Sequence, residues 1–270
     1  MTSLMAANAA AFEQTVRSTI VLAGTFDPQD WKRPTDCPGW TVQDVLSHII
    51  GIELMLLGED PAPGHTLADD GFPHVRNEMG RMMEAAVDAR RSHSGDQVLA
   101  ELREVLDRRL AMLPTVDPDE QTIAPNGRPT TQAGFLGFRA FDAWIHEQDV
   151  RRAVGRPGNL DAPATVCTRR IMTPGLPIVV AKRAGAAPGR SVVFEVTGPV
   201  EFTERVLVGG DGRAALTDDL DAEPDVRLRM DWETFVRLVA GRCASTDVTV
   251  KAAGDAELAE RVLANMALTP

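Results

Sequence analysis

GFRAFDAWIHEQDVRRAVG, residues 137–155, is the stretch whose reading decides the fold; the helix it predicts covers 134–152. On a helix, Asp142, His146 and Asp149 fall at i, i+4 and i+7 and share one face, which Arg139 extends by one turn. Phe135, Phe138, Phe141, Trp144 and Ile145 surround that stripe, so the other sides of the helix are apolar enough to be buried. A polar stripe enclosed in this way must be hydrogen-bonded, ion-paired or metal-bound, because bare desolvation is costly. Asp142 and His146 stand one turn apart, about 6 Å along the axis, so a carboxylate and an imidazole reach the same ion. The same spacing also suits a local ion pair on a wet face. HEQDV, at 146–150, lacks the second histidine of the HExxH zinc signature. The rest of the chain has to decide between these readings.

With 270 residues, 44% of them hydrophobic, the chain is long enough for one large or two ordinary globular domains. Its formal net charge of −11 argues against nucleic acid as a partner, since such binding runs on an excess of Lys and Arg. No apolar run approaches the ~20 residues that span a bilayer, and the N-terminus has neither a basic nor a long apolar signal region, so no membrane partner is expected. The three cysteines, Cys37, Cys167 and Cys243, form no CxxC pair. Their sparse, odd number suits a reducing, cytoplasmic location. Cys37, beside a Pro-Gly turn, reads as a small buried filler or a reactive thiol.

Upstream, residues 7–22 read as a first helix and 27–39 as a proline-rich turn region. Thr41 with Asp44 forms a Thr-x-x-Asp capping box opening a second helix over 42–57, whose apolar side is Val45, Ile49, Ile52 and Leu56. His48 lies on this helix between Val45, Ile52 and Met55, one turn after Asp44. Residues 59–73 read as a loop, with His65 and His74 in or beside it. A third helical segment, 69–91 and 96–113, is interrupted at SHSG, and 114–129 is a long connection into the fourth helix. Four helical segments with long crossovers predict a four-helix bundle over 1–156.

GRPGNLDAP at 155–163 reads as a linker, and the pattern changes after it. Residues 165–183 are helical but split by Pro174 and Pro177. Strands are expected at 191–197, 204–208, 225–230 and 247–252, with a hairpin signal at GGDG. Val226, Leu228 and Met230 alternate with Arg227 and Arg229. Asp231 and Asp255 cap two helices. This predicts an α+β domain over 163–270.

In such a bundle the second and fourth helices face each other, and His48 then meets Asp142 and His146. Two imidazoles and a carboxylate with a fourth position left open are the ligand pattern of a catalytic zinc site. Asp149 suits the supporting hydrogen bond to a ring N–H.

The residues also carry a resemblance. CPGWTVQDVLSH at 37–48, DAWIHEQDVRRAVGRPG at 142–158, AGR at 240–242 and GDAELAERVL at 254–263 resemble the mycothiol-dependent maleylpyruvate isomerase family, over nearly the whole chain. The resemblance implies an actinobacterial protein with a DinB-like metal-binding four-helix bundle. It also implies a C-terminal α+β domain similar to sterol carrier protein type 2. It places His48, Asp142 and His146 at the metal-ligand positions; the carboxylate is Glu in some members and the shorter Asp142 here. Zn2+ or another divalent metal is the implied cofactor, with mycothiol as thiol co-substrate and an electrophilic small molecule as the other partner. Mycothiol binds metal through sulfur, which lowers the thiol pKa and presents a thiolate. The family's C-terminal domain lends an arginine; Arg242 is the candidate here, followed by Arg237. Arg242 is equally readable as a basic residue at a helix end.

The aromatic side chains around the stripe, and Arg139, Arg151 and Arg152 as its only basic neighbours, favour an apolar electrophile and net S-transfer. The alternatives are a maleylpyruvate-type cis–trans isomerase, a hydrolase using metal-bound water, and a small-molecule or protein binding module without catalysis.

Overall fold

The computed structural model of the chain describes residues 3–67, 72, 75 and 77–269. It divides into two compact units, Met1–Cys167 and Thr168–Pro270. The first contains α1 (Ser3–Ala23), α2 (Val42–Leu56), α3 (Glu78–Asp88), α4 (Gly95–Met112) and α5 (Gln132–Ala153). Helices α1 and α2 each pack against both α4 and α5, which makes the expected four-helix bundle, and α3 lies along α2. Phe12, Val16, Leu46, Ile49, Leu102, Leu106 and Trp144 fill the core.

The starts of the helices follow the capping residues. Thr41 accepts a hydrogen bond from the Asp44 N–H while the Asp44 carboxylate accepts from the Thr41 N–H, a reciprocal box that sets where α2 begins. Ser94 and Gln97 form a second box and start α4, so the expected break at SHSG is where a new helix is capped. The beginning of the expected third segment, and His74, lie outside the described residues. Residues 114–129, expected as an irregular connection, instead include most of a hairpin of β1 (Gln121–Ile123) and β2 (Pro129–Thr131). Asn126-Gly127 makes its turn, with Gly127 at φ 77°, a conformation that glycine adopts without a Cβ penalty. The tract after α5 is bound into the bundle. Asn159, itself at φ 57°, accepts from Gln14 and donates to Glu147, and its carbonyl accepts from the Trp144 indole.

Helix α6 (Ala164–Met172) ends where a 3-10 turn, Thr173–Gly175, carries Pro174; a π-helical stretch, Ile178–Arg183, follows Pro177. The second unit is a five-stranded mixed sheet in the order β5-β4-β3-β6-β7, made of β3 (Ser191–Thr197), β4 (Phe202–Val208), β5 (Ala214–Thr217), β6 (Val226–Asp231) and β7 (Lys251–Gly254). Strands β3 and β6 are parallel; the other pairs are antiparallel. Val192, Phe194 and Val196 stand opposite Val226, Leu228 and Met230, which gives one apolar face. Helices α7 (Trp232–Val239) and α8 (Ala256–Ala264), capped by Asp231 and Asp255 as expected, pack on the sheet. The last strand lies later than the expected 247–252. A 3-10 turn takes Ser245–Asp247, and Gly254, not Ala252, ends the pairing with β6. A Cβ at Gly254 would come within 2.0 Å of the Asp225 carbonyl oxygen, so only glycine closes this edge. Among the described residues, no helix is long and apolar enough to cross a membrane.

Candidate metal centre

Three short-range features put the candidate ligands in place. Cys37-Pro38-Gly39-Trp40 is a tight turn: the Trp40 N–H donates to the Cys37 carbonyl at 3.0 Å, and Gly39 has φ 80°. Proline at the second position and a positive-φ glycine at the third is the sequence that such a turn demands. The turn brings Trp40 against α2, where its ring centroid lies 4.8 Å from that of His48 and 6.1 Å from that of His146. Its indole N–H donates to the buried carboxylate of Glu84 on α3, which fixes the ring.

Across the bundle, α2 presents His48 to Asp142 and His146 of α5. His48 Nε2 lies 3.8 Å from Asp142 Oδ2, and His146 Nε2 lies 3.8 Å from Asp142 Oδ1. One donor atom from each of the three side chains falls within 4.8 Å of the others. A tetrahedral site with bonds of about 2.0–2.1 Å has edges of about 3.3 Å, so modest rotation of the side chains closes this set around an ion. Two imidazole nitrogens and one carboxylate oxygen are donors suited to a divalent metal with a position left for an exogenous ligand.

The supporting contacts differ between the two histidines. His146 Nδ1 is 3.2 Å from Asp149 Oδ2, which leaves Nε2 to face Asp142. The fully buried Asp149 also receives the Arg152 guanidinium, which continues to Asp36, and the Cys37 thiol at 3.1 Å. His48 Nδ1 is buried without a hydrogen-bond partner, and its ring is held by contact with Trp40 and an edge-on contact with His146. Burial alone pulls the His146 imidazole down, but the Asp142 charge and the hydrogen bonds to Asp149 and Cys37 outweigh it and push the pKa to about 10. For His48 burial wins, and its pKa falls below the usual value even though Asp142 opposes the shift. Asp142 is held well below the usual carboxylate range; burial works against this, and the charges of Arg139 and His146 prevail. A carboxylate that stays ionised beside one neutral imidazole is a ready acceptor for a cation.

Trp144 and Phe141 are core residues, as the apolar sides of the helix predict, and the Trp144 indole is bonded to Asn159. Phe135 lines a separate cavity of about 560 Å³ with Met5, Leu56, Arg109 and Leu136. An aromatic ring beside the histidines is that of Trp40, legible in retrospect from the Pro-Gly turn that precedes the α2 cap. Cys37 is buried, as the filler reading expects, and it also lies 3.9 Å from His146 Nδ1 in a Cys37/His146/Asp149 cluster. The three basic neighbours are all taken, Arg139 by Glu53 and Asp142, Arg151 by Glu147 and Ser18, Arg152 by Asp149 and Asp36. His65 is paired with Asp88 at 2.9 Å. In the second unit, Arg242 donates to the Ala240 carbonyl just beyond α7, and Arg237, on α7, keeps a buried Nε without a partner.

The mycothiol maleylpyruvate isomerase N-terminal domain, as a family model, matches residues 12–151, the span that contains all three candidate ligands. Two solved structures are similar over 94% of this chain and 96% of theirs. One is the mycothiol-dependent maleylpyruvate isomerase, with a TM-score of 0.59 at 15% identity. The other is a histidine-to-alanine mutant of a mycothiol-dependent maleylpyruvate isomerase, with a TM-score of 0.58 at 16% identity. At that identity they establish a shared fold across both units. No curated protein matches the chain. A bundle with this match over half the chain, followed by a mixed-sheet unit within the same overall fold, belongs to the mycothiol maleylpyruvate isomerase family.

Proposed function

We propose that this chain is a metal-dependent thiol enzyme that joins the mycothiol sulfur to an electrophilic carbon of a small molecule, with S-transfer as its net outcome. The observation that carries the reading is the convergence of His48, Asp142 and His146 from two helices of a bundle of this family. A divalent metal, zinc first among the candidates, supplies Lewis acidity that turns a thiol into a thiolate at neutral pH.

The chain's own residues have defined parts. His48 and His146 hold the ion through Nε2, and Asp142 through a carboxylate oxygen. Asp149 accepts the His146 Nδ1–H, which fixes the tautomer and turns Nε2 inward. Trp40 covers the histidines on one side and excludes water there. No residue of the bundle has to act as the nucleophile. Arg242 is the proposed contribution of the second domain, and 1–156 and 163–270 are the proposed domain limits. The free cysteines suit a cytoplasmic setting.

Transfer is favoured because Arg139, Arg151 and Arg152 are each committed to carboxylates, so none is left to clamp a small dicarboxylate. The second reading, reversible addition to an activated alkene followed by rotation and loss of the thiol, is favoured by the family. Metal-replete protein given mycothiol and either maleylpyruvate or an apolar epoxide or alkyl halide separates them. The proposal expects a stable mycothiol conjugate from the apolar electrophile. Rapid conversion of maleylpyruvate with no conjugate accumulating would leave the isomerase reading standing. No reaction that depends on mycothiol with either class would remove both.

A further inference from the structure

Three buried charged side chains, Arg109, Glu53 and Arg139, form a line that ends at the half-buried Asp142 of the candidate centre. Arg109 of α4 donates from Nε to Glu53 Oε2 at 2.7 Å. Arg139 of α5 donates from Nε to Glu53 Oε1 at 2.8 Å, and from Nη1 to Asp142 Oδ2 at 2.8 Å. Glu53 is 1% exposed, Arg139 3% and Arg109 5%. Glu53 lies on α2, five residues beyond His48, so the line ties together the two helices that carry all the candidate ligands.

Stability alone does not account for this arrangement. Buried ion pairs roughly balance their desolvation cost and are often replaceable by apolar side chains without loss. Here the cost is raised further, because Arg139 Nη2 is buried and has no hydrogen-bond partner. What the line does achieve is geometric. Each oxygen of Asp142 lies 3.8 Å from one histidine Nε2, Oδ2 from His48 and Oδ1 from His146, but the two are made unlike because only Oδ2 also accepts from Arg139. A guanidinium already anchored on Glu53 cannot follow the carboxylate if it rotates.

We propose that Arg139, braced by Glu53, is a positioning residue that makes Asp142 a one-oxygen ligand. It holds the protein's share of the coordination at three atoms and keeps the fourth position for an exogenous sulfur. A carboxylate free at both oxygens binds metals through one or both of them. A two-oxygen Asp142 would raise the protein's donors to four and take the place of the incoming thiol. Arg139 therefore sets coordination number without touching substrate. The proposal rests on the ligand assignment made above.

Cobalt(II) reads this directly in the full-length protein, because its visible absorption is strong in four-coordinate and weak in five- or six-coordinate sites. The wild type should bind one Co2+ with an intense band. Arg139→Met should still bind one Co2+, with the band reduced at least about twofold, and added thiol should shift it less than in the wild type. Arg139→Lys, which keeps a cation near Asp142, should recover part of the intensity. Arg139→Gln carries the same expectation as Arg139→Met if the latter does not fold. A wild-type band in folded Arg139→Met or Arg139→Gln would overturn the proposal. So would failure of both to fold, since Arg139 would then be a purely structural ion. Wild-type Co2+ affinity and spectrum in Asp142→Ala is a different result; it would overturn the ligand assignment first and this proposal with it.

Discussion

His146 Nδ1 lies 3.2 Å from Asp149 Oδ2, and the Asp149 carboxylate is fully buried. That contact selects the tautomer protonated at Nδ1, whose Nε2 lone pair is free for a metal. An amide at 149 keeps the volume but offers one acceptor and loses the charge that also receives Arg152. Asp149→Asn should weaken divalent-metal affinity by about 10–100-fold while the fold persists. Competition with a chromophoric chelator measures it, and affinity within twofold of wild type would remove Asp149 from the supporting role.

The protonation of His146 gives a second expectation. Its pKa of about 10 in the metal-free chain exceeds the ordinary 6.5. A raised pKa means that the charged form stabilises the fold fully below about pH 6.5, and that this contribution is lost as pH rises toward 10. Metal uptake at pH 8 must displace that proton, so about one proton should be released per metal ion bound. Calorimetry in buffers of different ionisation enthalpy counts it. In metal-free protein, the fall in melting temperature between pH 6.5 and 10 should shrink in Asp142→Asn, which removes the largest favourable charge.

Gly51 sits where α2 crosses α3. A Cβ there would lie 2.6 Å from the Ala86 Cβ, inside any tolerable contact. Gly51→Ala should therefore cost about 1–3 kcal/mol of stability by urea titration. It should also move α3, and with it the Glu84 that holds Trp40, so the tryptophan fluorescence should change before unfolding begins. An unchanged midpoint would mean that the helices separate freely at this point.

Much of this was readable from residues, and the exceptions have physical causes. The stripe Asp142/His146/Asp149, the Thr41 cap that sets the phase of His48, and the alternation of Val226, Leu228 and Met230 are local periodicities, so they were legible in order. The hairpin β1–β2 was missed because three-residue strands carry too little alternation to register, even with Asn126-Gly127 between them. Trp40 and Cys37 were missed as neighbours of the histidines because a turn, not a periodic element, delivers them. The burial of Phe141 and Trp144 was legible too, because they lie on the apolar sides of the helix away from the stripe. The Glu53 partner of Arg139 lies on α2, 86 residues away in sequence, and no spacing rule connects them.

The most direct test is the metal content of the whole protein after equilibrium dialysis against a limiting divalent metal, zinc first, for the wild type and for His48→Ala, Asp142→Ala and His146→Ala, each checked for an intact helical signal by circular dichroism. The account predicts one ion per chain in the wild type and loss of stoichiometric binding in both histidine variants, with their helical content preserved. Full occupancy in His146→Ala, with the bundle folded, would contradict it.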